Sequence, residues 1–254
     1  MKYIDGKSIA ERIEKSLKHE VKRLTYTPGL GVILVGNDPA SHIYVKRKEE
    51  AAERIGIRVV KHELPSETPE KQVIELVKQF NADLSINGIL VQLPLPKKIN
   101  TGRVIAAISS NKDADGFLPK SKVLSPTHQA ILKLMQASKK SFKNKKYFIF
   151  ANSDIFQKPL SELLVKKGLK PASKSTDADF VITAKGSPEF LRAGKIKKGV
   201  VIIDVGTTRV NGKLFGDVDQ KSMAKKASCL SPVPGGVGPL TVIFLLKNVI
   251  KLTK

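Results

Sequence analysis

The chain has 254 residues, of which 41% are hydrophobic and 27% charged, a composition typical of a globular protein with one large domain or two ordinary ones. Its single cysteine, Cys229, excludes a disulfide framework and any metal site built from several thiolates. The sequence has no apolar run long enough for a membrane span, and its first twenty residues lack the apolar core of a signal peptide. We therefore expect a cytoplasmic protein with no membrane partner.

The charge is strongly basic, with 45 Lys and Arg residues against 23 Asp and Glu and a net charge of +22. Residues 120–200 hold 18 of the basic residues and 5 of the acidic ones. Such a field favours anionic partners, whether nucleic acid, phosphorylated cofactors or polycarboxylate substrates. No zinc-finger or RNA-recognition pattern accompanies it, and aromatic residues make up only 6% of the chain. A lysine-rich solvated surface is the favoured interpretation, and a nucleic-acid partner is not expected.

The first half of the chain alternates between helical and strand patterns, which predicts a parallel α/β unit. A helix over 41–55 is expected to start at a Ser41 cap and to end at Gly56. The full order is a helix over 8–24, a strand over 29–36, the 41–55 helix, a strand over 57–64, a helix over 69–81, a strand over 87–96, a helix near 101–109 and an acidic loop over 111–117.

A second alternation follows, so the sequence predicts two α/β domains with a cleft between them. Its order is a helix near 127–138, a strand over 146–151, a helix over 158–167, strands over 179–184 and 199–207, a hairpin, a rigid loop over 231–239 and an apolar helix over 240–251. Asn211-Gly212 predicts a type I′ turn in the hairpin. Because ligands of such sheets bind at the carboxyl ends of the strands, the loops after Gly36 and Gln92 and residues 231–239 are candidate site segments.

Tyr44 and Lys48 lie four residues apart and therefore share one face of the predicted helix. A tyrosine can orient a substrate, and a lysine with a lowered pKa can act as a base. A chance pair on a lysine-rich surface helix is the alternative. The spacing also matches the Tyr-x-x-x-Lys pair of short-chain dehydrogenases, but no glycine-rich nucleotide loop precedes it here, so we discount that family.

Two polar features interrupt the apolar pattern. Gln92 lies in a strand of aliphatic residues, where a buried amide needs a partner, either structural or functional. Asp113 and Asp115 lie in a turn, where capping of backbone amides is the simpler role. No further ligand lies at metal-binding spacing, so we predict no metal. The loop over 231–239 combines three prolines with three glycines and can present backbone amides to an anion.

The ordered set YVKRK, GILVQLPLP, KDADGF, IDVG, GDVD and SPVPGGVGPLT resembles the bifunctional methylenetetrahydrofolate dehydrogenase/methenyltetrahydrofolate cyclohydrolase family along nearly the whole chain. The resemblance implies an N-terminal α/β catalytic domain, residues 1–118, completed by the C-terminal helix over 236–254. A Rossmann-like dinucleotide-binding domain over 119–235 is inserted between them. It also implies a homodimer that acts on tetrahydrofolate derivatives in one-carbon metabolism and purine biosynthesis.

The resemblance implies roles for the residues of the catalytic domain. Lys48 serves the cyclohydrolase step, Tyr44 orients and packs on the substrate, and Gln92 hydrogen-bonds near the lysine and helps hold it neutral. Asp115 grips the pterin ring. Further substrate-binding residues are Pro234, Gly235 and Gly236, in the loop that lines the cleft where folate and nicotinamide meet.

The implied reaction transfers hydride from methylenetetrahydrofolate to NADP and then adds water to the methenyl cation, which gives 10-formyltetrahydrofolate. No metal takes part. The implied cofactor-binding residues are Asn152, Ser153, Thr207 and Gly236.

The dinucleotide half departs from the family pattern. Where the family has Gly-Arg-Ser-x-x-Val-Gly-x-Pro, this chain has ANSDIFQKP over 151–159, without either glycine and with Asn152 in place of the arginine. Segment 168–180 looks too short to hold the second Rossmann strand. We therefore expect NADP to bind more weakly than in relatives that keep the loop, with little discrimination against NAD. The alternative function is a non-catalytic folate- or nucleic-acid-binding descendant of the family.

Overall fold

The computed structural model describes residues 1–253, which divide into two compact units. The six-stranded unit contains Met1–Ala10 and Thr127–Leu240. The three-stranded unit contains Glu11–Pro126 and the chain from Thr241 onward. Each unit is therefore assembled from two separate stretches of the sequence.

The elements alternate between strand and helix through most of the chain, in the following order. The first part contains β1 (Lys2–Tyr3), α1 (Gly6–Val21), β2 (Gly29–Val35), α2 (Pro39–Ile55), β3 (Arg58–Leu64), α3 (Glu70–Ala82), β4 (Gly88–Val91) and α4 (Thr101–Ala106). The second part contains α5 (Pro126–Ala137), β5 (Lys146–Ala151), α6 (Asp154–Lys166), β6 (Lys170–Pro171), β7 (Phe180–Ala184), β8 (Val201–Asp204), β9 (Thr208–Val210), β10 (Lys213–Phe215), α7 (Gln220–Met223), β11 (Cys229–Leu230) and α8 (Val237–Leu252).

The three-stranded unit is built on a parallel sheet of order β3-β2-β4. Every residue of β2 and β4 is buried, which explains why these segments are continuous apolar runs without alternation. One face of the sheet packs on α3 and α4 through a cluster that includes Ile33, Val77, Phe80, Ile89 and Val104. The carboxyl ends of β2 and β4 are thereby fixed side by side.

The six-stranded unit is a parallel sheet of order β1-β11-β8-β7-β5-β6, with β9 and β10 forming a separate antiparallel hairpin. The chain places β6 on one side of β5 and continues with β7 and β8 on the other side. The strand order therefore reverses between β5 and β7, the point at which doubly wound sheets open a ligand crevice. None of the helices in residues 1–253 combines the length and apolar character that a membrane span needs.

The predicted α/β fold class is confirmed, and the predicted hairpin turn is present, since Asn211 and Gly212 both have positive φ, 48° and 78°. The predicted Ser41 cap is wrong. Asp38 is the N-cap of α2, and its carboxylate accepts the Ser41 amide N–H at 2.9 Å, which places Ser41 inside the first turn. Gly56 closes the helix in the left-handed conformation as expected.

Three further differences lie around the six-stranded sheet. Helix α6 begins at Asp154, four residues before the predicted start, with Pro159 inside it. Segment 168–180 does hold a second strand, because β6 is only two residues long and pairs with the start of β5. Residues 1–10 lie in the six-stranded unit, because β1 pairs with β11, whereas the sequence analysis grouped them with residues 11–118.

Candidate active site

Helix α2 carries Tyr44 and Lys48 on one face, as their spacing predicts. The Lys48 side chain is buried, with the residue only 5% exposed. Its Nζ lies 4.5 Å from the centroid of the Tyr44 ring, within the range of a cation–π contact. The pair is thus an interior feature of the three-stranded unit, and the alternative of a chance pair on a solvated surface does not hold.

Gln92 follows β4 and faces the lysine. Its Oε1 accepts a hydrogen bond from Lys48 Nζ at 2.9 Å. Its Nε2 donates to the Leu93 carbonyl at 2.6 Å, which leaves the amide oxygen directed at the amine. The backbone N–H of Gln92 continues the sheet by donating to the Ile33 carbonyl. The buried amide predicted from the sequence therefore finds a hydrogen-bond donor, the Lys48 amine, and its orientation is set by the backbone.

The acidic turn after α4 supplies the third polar group. Asp113 is fully buried, and its Oδ2 accepts the Leu118 amide N–H at 2.8 Å, which is the structural capping role expected of such a turn. The Asn248 side chain on α8 donates to the Ala114 carbonyl at 2.8 Å and holds the turn in place. Asp115, two residues after Asp113, is left to interact electrostatically with Lys48 and Tyr44.

Burial controls the ionisation of this group of side chains. Desolvation lowers the pKa of Lys48, and the negative charge of Asp115 opposes that shift. Desolvation also raises the pKa of Asp115 to about 6, with the Lys48 charge opposing the shift and the Asp113 charge adding to it. The resemblance implied that Gln92 helps hold the lysine neutral. Burial is the cause of the lowered pKa in the structure, and the role of Gln92 in holding the lysine neutral stays a prediction.

Tyr44 is held as a neutral phenol. Burial and the Asp115 charge raise its pKa to about 12, against a hydrogen bond with Thr241. Thr241 lies on α8, at the end of the SPVPGGVGPLT motif. The sequence indicated this motif as a site segment, but the contact with Tyr44 was not predicted. Tyr44, Lys48, Gln92 and Asp115 are therefore brought together, and such a set can hold a flat polar ring and move a proton at the lysine amine.

The predicted cofactor residues lie in the six-stranded unit, at the carboxyl edge of its sheet. Asn152 follows β5, and its Nδ2 donates to the Lys185 carbonyl after β7 at 3.0 Å. This bond joins the two loops between which the strand order reverses. Ser153 is the N-cap of α6, but its hydroxyl makes no capping bond. Thr207 is exposed and follows β8. The switch point thus offers a helix N-terminus, a free hydroxyl and loop amides, a donor set that fits a dinucleotide.

The charges at this edge bear on the kind of dinucleotide. Asp154 lies in the first turn of α6, where its negative charge disfavours the binding of a phosphate to the helix N-terminus. It forms an ion pair with Lys158 at 2.9 Å. Residues 172–175, directly after β6, contain no acidic residue, and Lys174 is exposed there. A carboxylate at the end of the second strand would bind the 2′-hydroxyl of NAD. A lysine at that place suits a 2′-phosphate.

The loop over 232–236 also belongs to the six-stranded unit. The Val233–Pro234 peptide bond is cis, and Gly235 has a φ of 102°, which favours glycine. The Gly235 carbonyl accepts the Lys7 amide N–H at 3.0 Å. A Cβ placed on Gly6 would lie 1.9 Å from the Gly236 carbonyl oxygen, so the first turn of α1 packs directly on this backbone. The substrate and cofactor roles of Pro234, Gly235 and Gly236 stay predictions.

No group of three or more His, Cys, Asp or Glu side chains within residues 1–253 is arranged to hold a metal ion. Two buried acids missing from the predicted site, Asp204 and Asp217, lie close to the cofactor edge. The sequence signal for them was present in the motifs IDVG and GDVD, to which no role had been given.

The fold and the two sets of side chains define an α/β protein with a Rossmann-type unit and a separate unit that holds a buried lysine. Comparison with known proteins gives the family. Residues 4–115 match the catalytic domain of tetrahydrofolate dehydrogenase/cyclohydrolase, and residues 125–254 match the NAD(P)-binding domain of the same enzymes. The chain belongs to the tetrahydrofolate dehydrogenase/cyclohydrolase family.

Relatives match over the full chain. The bifunctional protein FolD of Nautilia profundicola is 40% identical, with 100% of this chain and 98% of that protein covered. FolD of Halalkalibacterium halodurans is 42% identical, with 99% and 98% covered. Among solved structures, the bifunctional FolD enzyme of Campylobacter jejuni is 35% identical, with a TM-score of 0.93 and 100% and 98% of the two chains covered. The Trypanosoma brucei enzyme, solved with an NADP cofactor and an inhibitor, is 31% identical, with a TM-score of 0.92 and 99% and 96% covered.

These comparisons confirm the resemblance drawn from the sequence motifs. The relatives are named as bifunctional enzymes, which gives no support to a non-catalytic descendant. The individual roles of the site residues stay predictions, because the comparisons concern whole chains and domains.

The raised pKa of Asp115 generates a stability prediction. Because its pKa is raised from 3.8 to about 6, its contribution to stability is fully present below about pH 3.8 and is lost as pH rises through about 6. Asp115→Asn, which cannot ionise, is therefore expected to raise the free energy of unfolding at pH 8 by about 1–2 kcal/mol, a value reduced for partial exposure. The gain should shrink towards pH 4.5. Urea unfolding at both pH values measures it, and a gain that is independent of pH would contradict the burial argument.

Proposed function

We propose that this protein interconverts one-carbon derivatives of tetrahydrofolate, as a methylenetetrahydrofolate dehydrogenase and a methenyltetrahydrofolate cyclohydrolase. The observation that carries the proposal is the buried amine of Lys48, hydrogen-bonded to Gln92 beside Asp115, in a chain of this family. A buried ionisable group with a shifted pKa and a specific charged neighbour is a candidate functional group.

The cyclohydrolase step needs a group that manages one proton. Water adds to the cationic methenyl carbon between N5 and N10, and the proton that it loses passes to the neutral amine of Lys48. The bond from that carbon to N5 then breaks, and N5 keeps the electron pair and takes the proton back from the Lys48 ammonium. The hydroxyl on the carbon becomes the formyl carbonyl as its proton passes to the amine, so the formyl group remains on N10 and one proton is released to solvent overall. Lys48 suits this step because burial lowers its pKa, so that a larger fraction of the amine is neutral near pH 7.

The neighbouring side chains orient the substrate. Gln92 fixes Nζ at one position, so the proton is taken up at a defined point. The Tyr44 ring, neutral because its pKa is about 12, offers a flat surface and a phenol held by Thr241. Asp115, mostly ionised at neutral pH with a pKa of about 6, suits the N–H donors of a pterin ring. When bound at the switch point, NADP supplies the acceptor for the hydride of the dehydrogenase step.

Replacement of Lys48 tests the cyclohydrolase proposal. Lys48→Met, which keeps the length of the side chain without the amine, is expected to slow the enzymatic hydrolysis of methenyltetrahydrofolate by about 10²–10⁴-fold. The measurement is decay of the methenyl chromophore with purified protein in the absence of NADP. Lys46→Met, an exposed lysine of the same helix, is the matched control and should retain the wild-type rate. Wild-type and Lys48→Met rates that both equal the uncatalysed rate would overturn the proposal.

The charges at the end of β6 support NADP as the dinucleotide. We expect Lys174→Ala to weaken NADP binding by about tenfold and to change NAD binding little, since one charge-assisted phosphate contact is lost. Lys170→Ala, at the other end of β6, is the matched control. Asn152→Arg should strengthen NADP binding, because it restores a bidentate phosphate ligand. Calorimetric titration measures all four proteins, and equal affinity of wild type and Lys174→Ala for NADP would refute this assignment.

We also propose that the protein is a homodimer and that it acts in the cytoplasm, on the basis of the family resemblance and the sequence composition. Light scattering on the purified protein should give twice the mass of the chain. A monomer mass at micromolar concentration that persists with folate and NADP present would contradict the dimer. Immunodetection after cell fractionation tests the location.

A further inference from the structure

Two buried carboxylates lie in the six-stranded unit, outside the residues used above. Asp204 ends β8 and is 1% exposed, and Asp217 follows β10 and is fully buried. Acids in such places are rare unless they are paired or saturated with hydrogen bonds. Within residues 1–253, no basic side chain forms an ion pair with Asp204 or Asp217. Hydrogen-bond donors must therefore compensate both carboxylates.

Asp204 is compensated by one hydroxyl and by the backbone. Its Oδ1 accepts from Thr183 Oγ1 at 3.0 Å and from the amide N–H groups of Gly206 and Asp217, both at 3.1 Å. Its Oδ2 accepts the Val218 amide N–H at 3.0 Å. Burial raises the pKa of Asp204 to about 7, against the Asp217 backbone and Thr183 hydrogen bonds, and the Asp217 charge adds to the rise.

Asp217 holds a different loop. Its Oδ2 accepts the Lys185 amide N–H at 2.6 Å, and its Oδ1 accepts the Ser187 amide N–H at 2.8 Å. Both donors lie in the loop that follows β7. The two acids therefore join the loops after β7, β8 and β10 into one hydrogen-bonded assembly.

Two glycines make room for this assembly. A Cβ placed on Gly206 would lie 2.1 Å from the Asp217 carboxyl carbon. A Cβ placed on Gly216 would lie 2.1 Å from Asp204 Oδ2. Each acid thus fills the space left by the glycine beside the other acid, and the motifs IDVG and GDVD form one reciprocal structure.

The assembly reaches the cofactor edge by two short routes. Lys185 makes two backbone hydrogen bonds. Its N–H donates to Asp217, and its carbonyl accepts from the Asn152 side chain. Gly206, whose N–H binds Asp204, directly precedes Thr207. Neither acid is itself among the residues that a dinucleotide at the switch point would contact, because both are enclosed by these loops.

We propose that Asp204 and Asp217 are positioning residues, which hold the loops at the carboxyl edge of the six-stranded sheet in the conformation that binds the dinucleotide. The proposal rests on the proposed dehydrogenase function. It adds to it two residues that act through Asn152, Lys185 and Thr207 and make no contact with the cofactor.

The test uses the full-length protein and Asp217→Asn, which keeps the shape but turns one acceptor into a donor that faces a backbone N–H. We expect the dissociation constant and the KM for NADP to rise by about tenfold or more, with a smaller change in kcat. The cyclohydrolase rate, measured without NADP, should stay within about twofold of wild type, since Lys48 lies in the other unit. Asp177→Asn, an exposed acid of the same unit, is the charge-matched control.

A second readout does not depend on activity. Hydrogen exchange of the protein without NADP should be faster in Asp217→Asn over residues 185–190 and 205–218, and unchanged over the β5 strand. If Asp217→Asn does not fold, Thr183→Val removes a single bond to Asp204 and should weaken NADP binding by about threefold or more. Variants that bind NADP as tightly as wild type would overturn the inference. A wild type that binds no dinucleotide would overturn the proposed dehydrogenase function instead.

Discussion

The amine of Lys48 lies in the interior of the three-stranded unit, and the polar groups of the candidate site are those that compensate its burial. Burial disfavours the ammonium, and what compensates it is one amide oxygen, one aromatic face and one carboxyl group, from Gln92, Tyr44 and Asp115. Each partner is held by a hydrogen bond from the protein: Gln92 by the Leu93 carbonyl, Tyr44 by Thr241 on α8, and the turn of Asp115 by Asn248 on α8. A site of this kind tolerates little movement, because loss of any one partner leaves a charged or polar group buried without compensation.

The six-stranded unit also buries ionisable side chains, but these are acids rather than an amine. Asp204 and Asp217 are compensated by backbone N–H groups, which are available because the chain turns sharply after parallel strands. In the three-stranded unit the buried charge is part of the proposed chemistry. In the six-stranded unit it serves to organise loops, so the two units divide the work between reaction and cofactor binding.

The sequence predicted what depends on local pattern and failed where distant segments meet. Helical spacing placed Tyr44 beside Lys48, and the buried amide of Gln92 required a partner, which proved to be that lysine. Strands of two residues carry no periodicity, so the sequence pattern does not predict β1 and β6. The contact of Thr241 with Tyr44 joins the two ends of the chain, and no local pattern encodes it.

The pairing of β1 with β11 has a consequence for the order in which the chain folds during synthesis. Lys2 is the neighbour of Cys229 in the sheet, so the first strand waits, unpaired, until nearly the whole chain has left the ribosome. The three-stranded unit waits as well, because α8 brings Thr241 and Asn248 to it last. Neither unit is complete in a nascent chain, and both close within the final few dozen residues. A ribosome stalled before β11 therefore carries a six-stranded sheet that lacks β11, with β1 unpaired, and a three-stranded sheet without α8, and the apolar surface that these elements would cover is open to a chaperone.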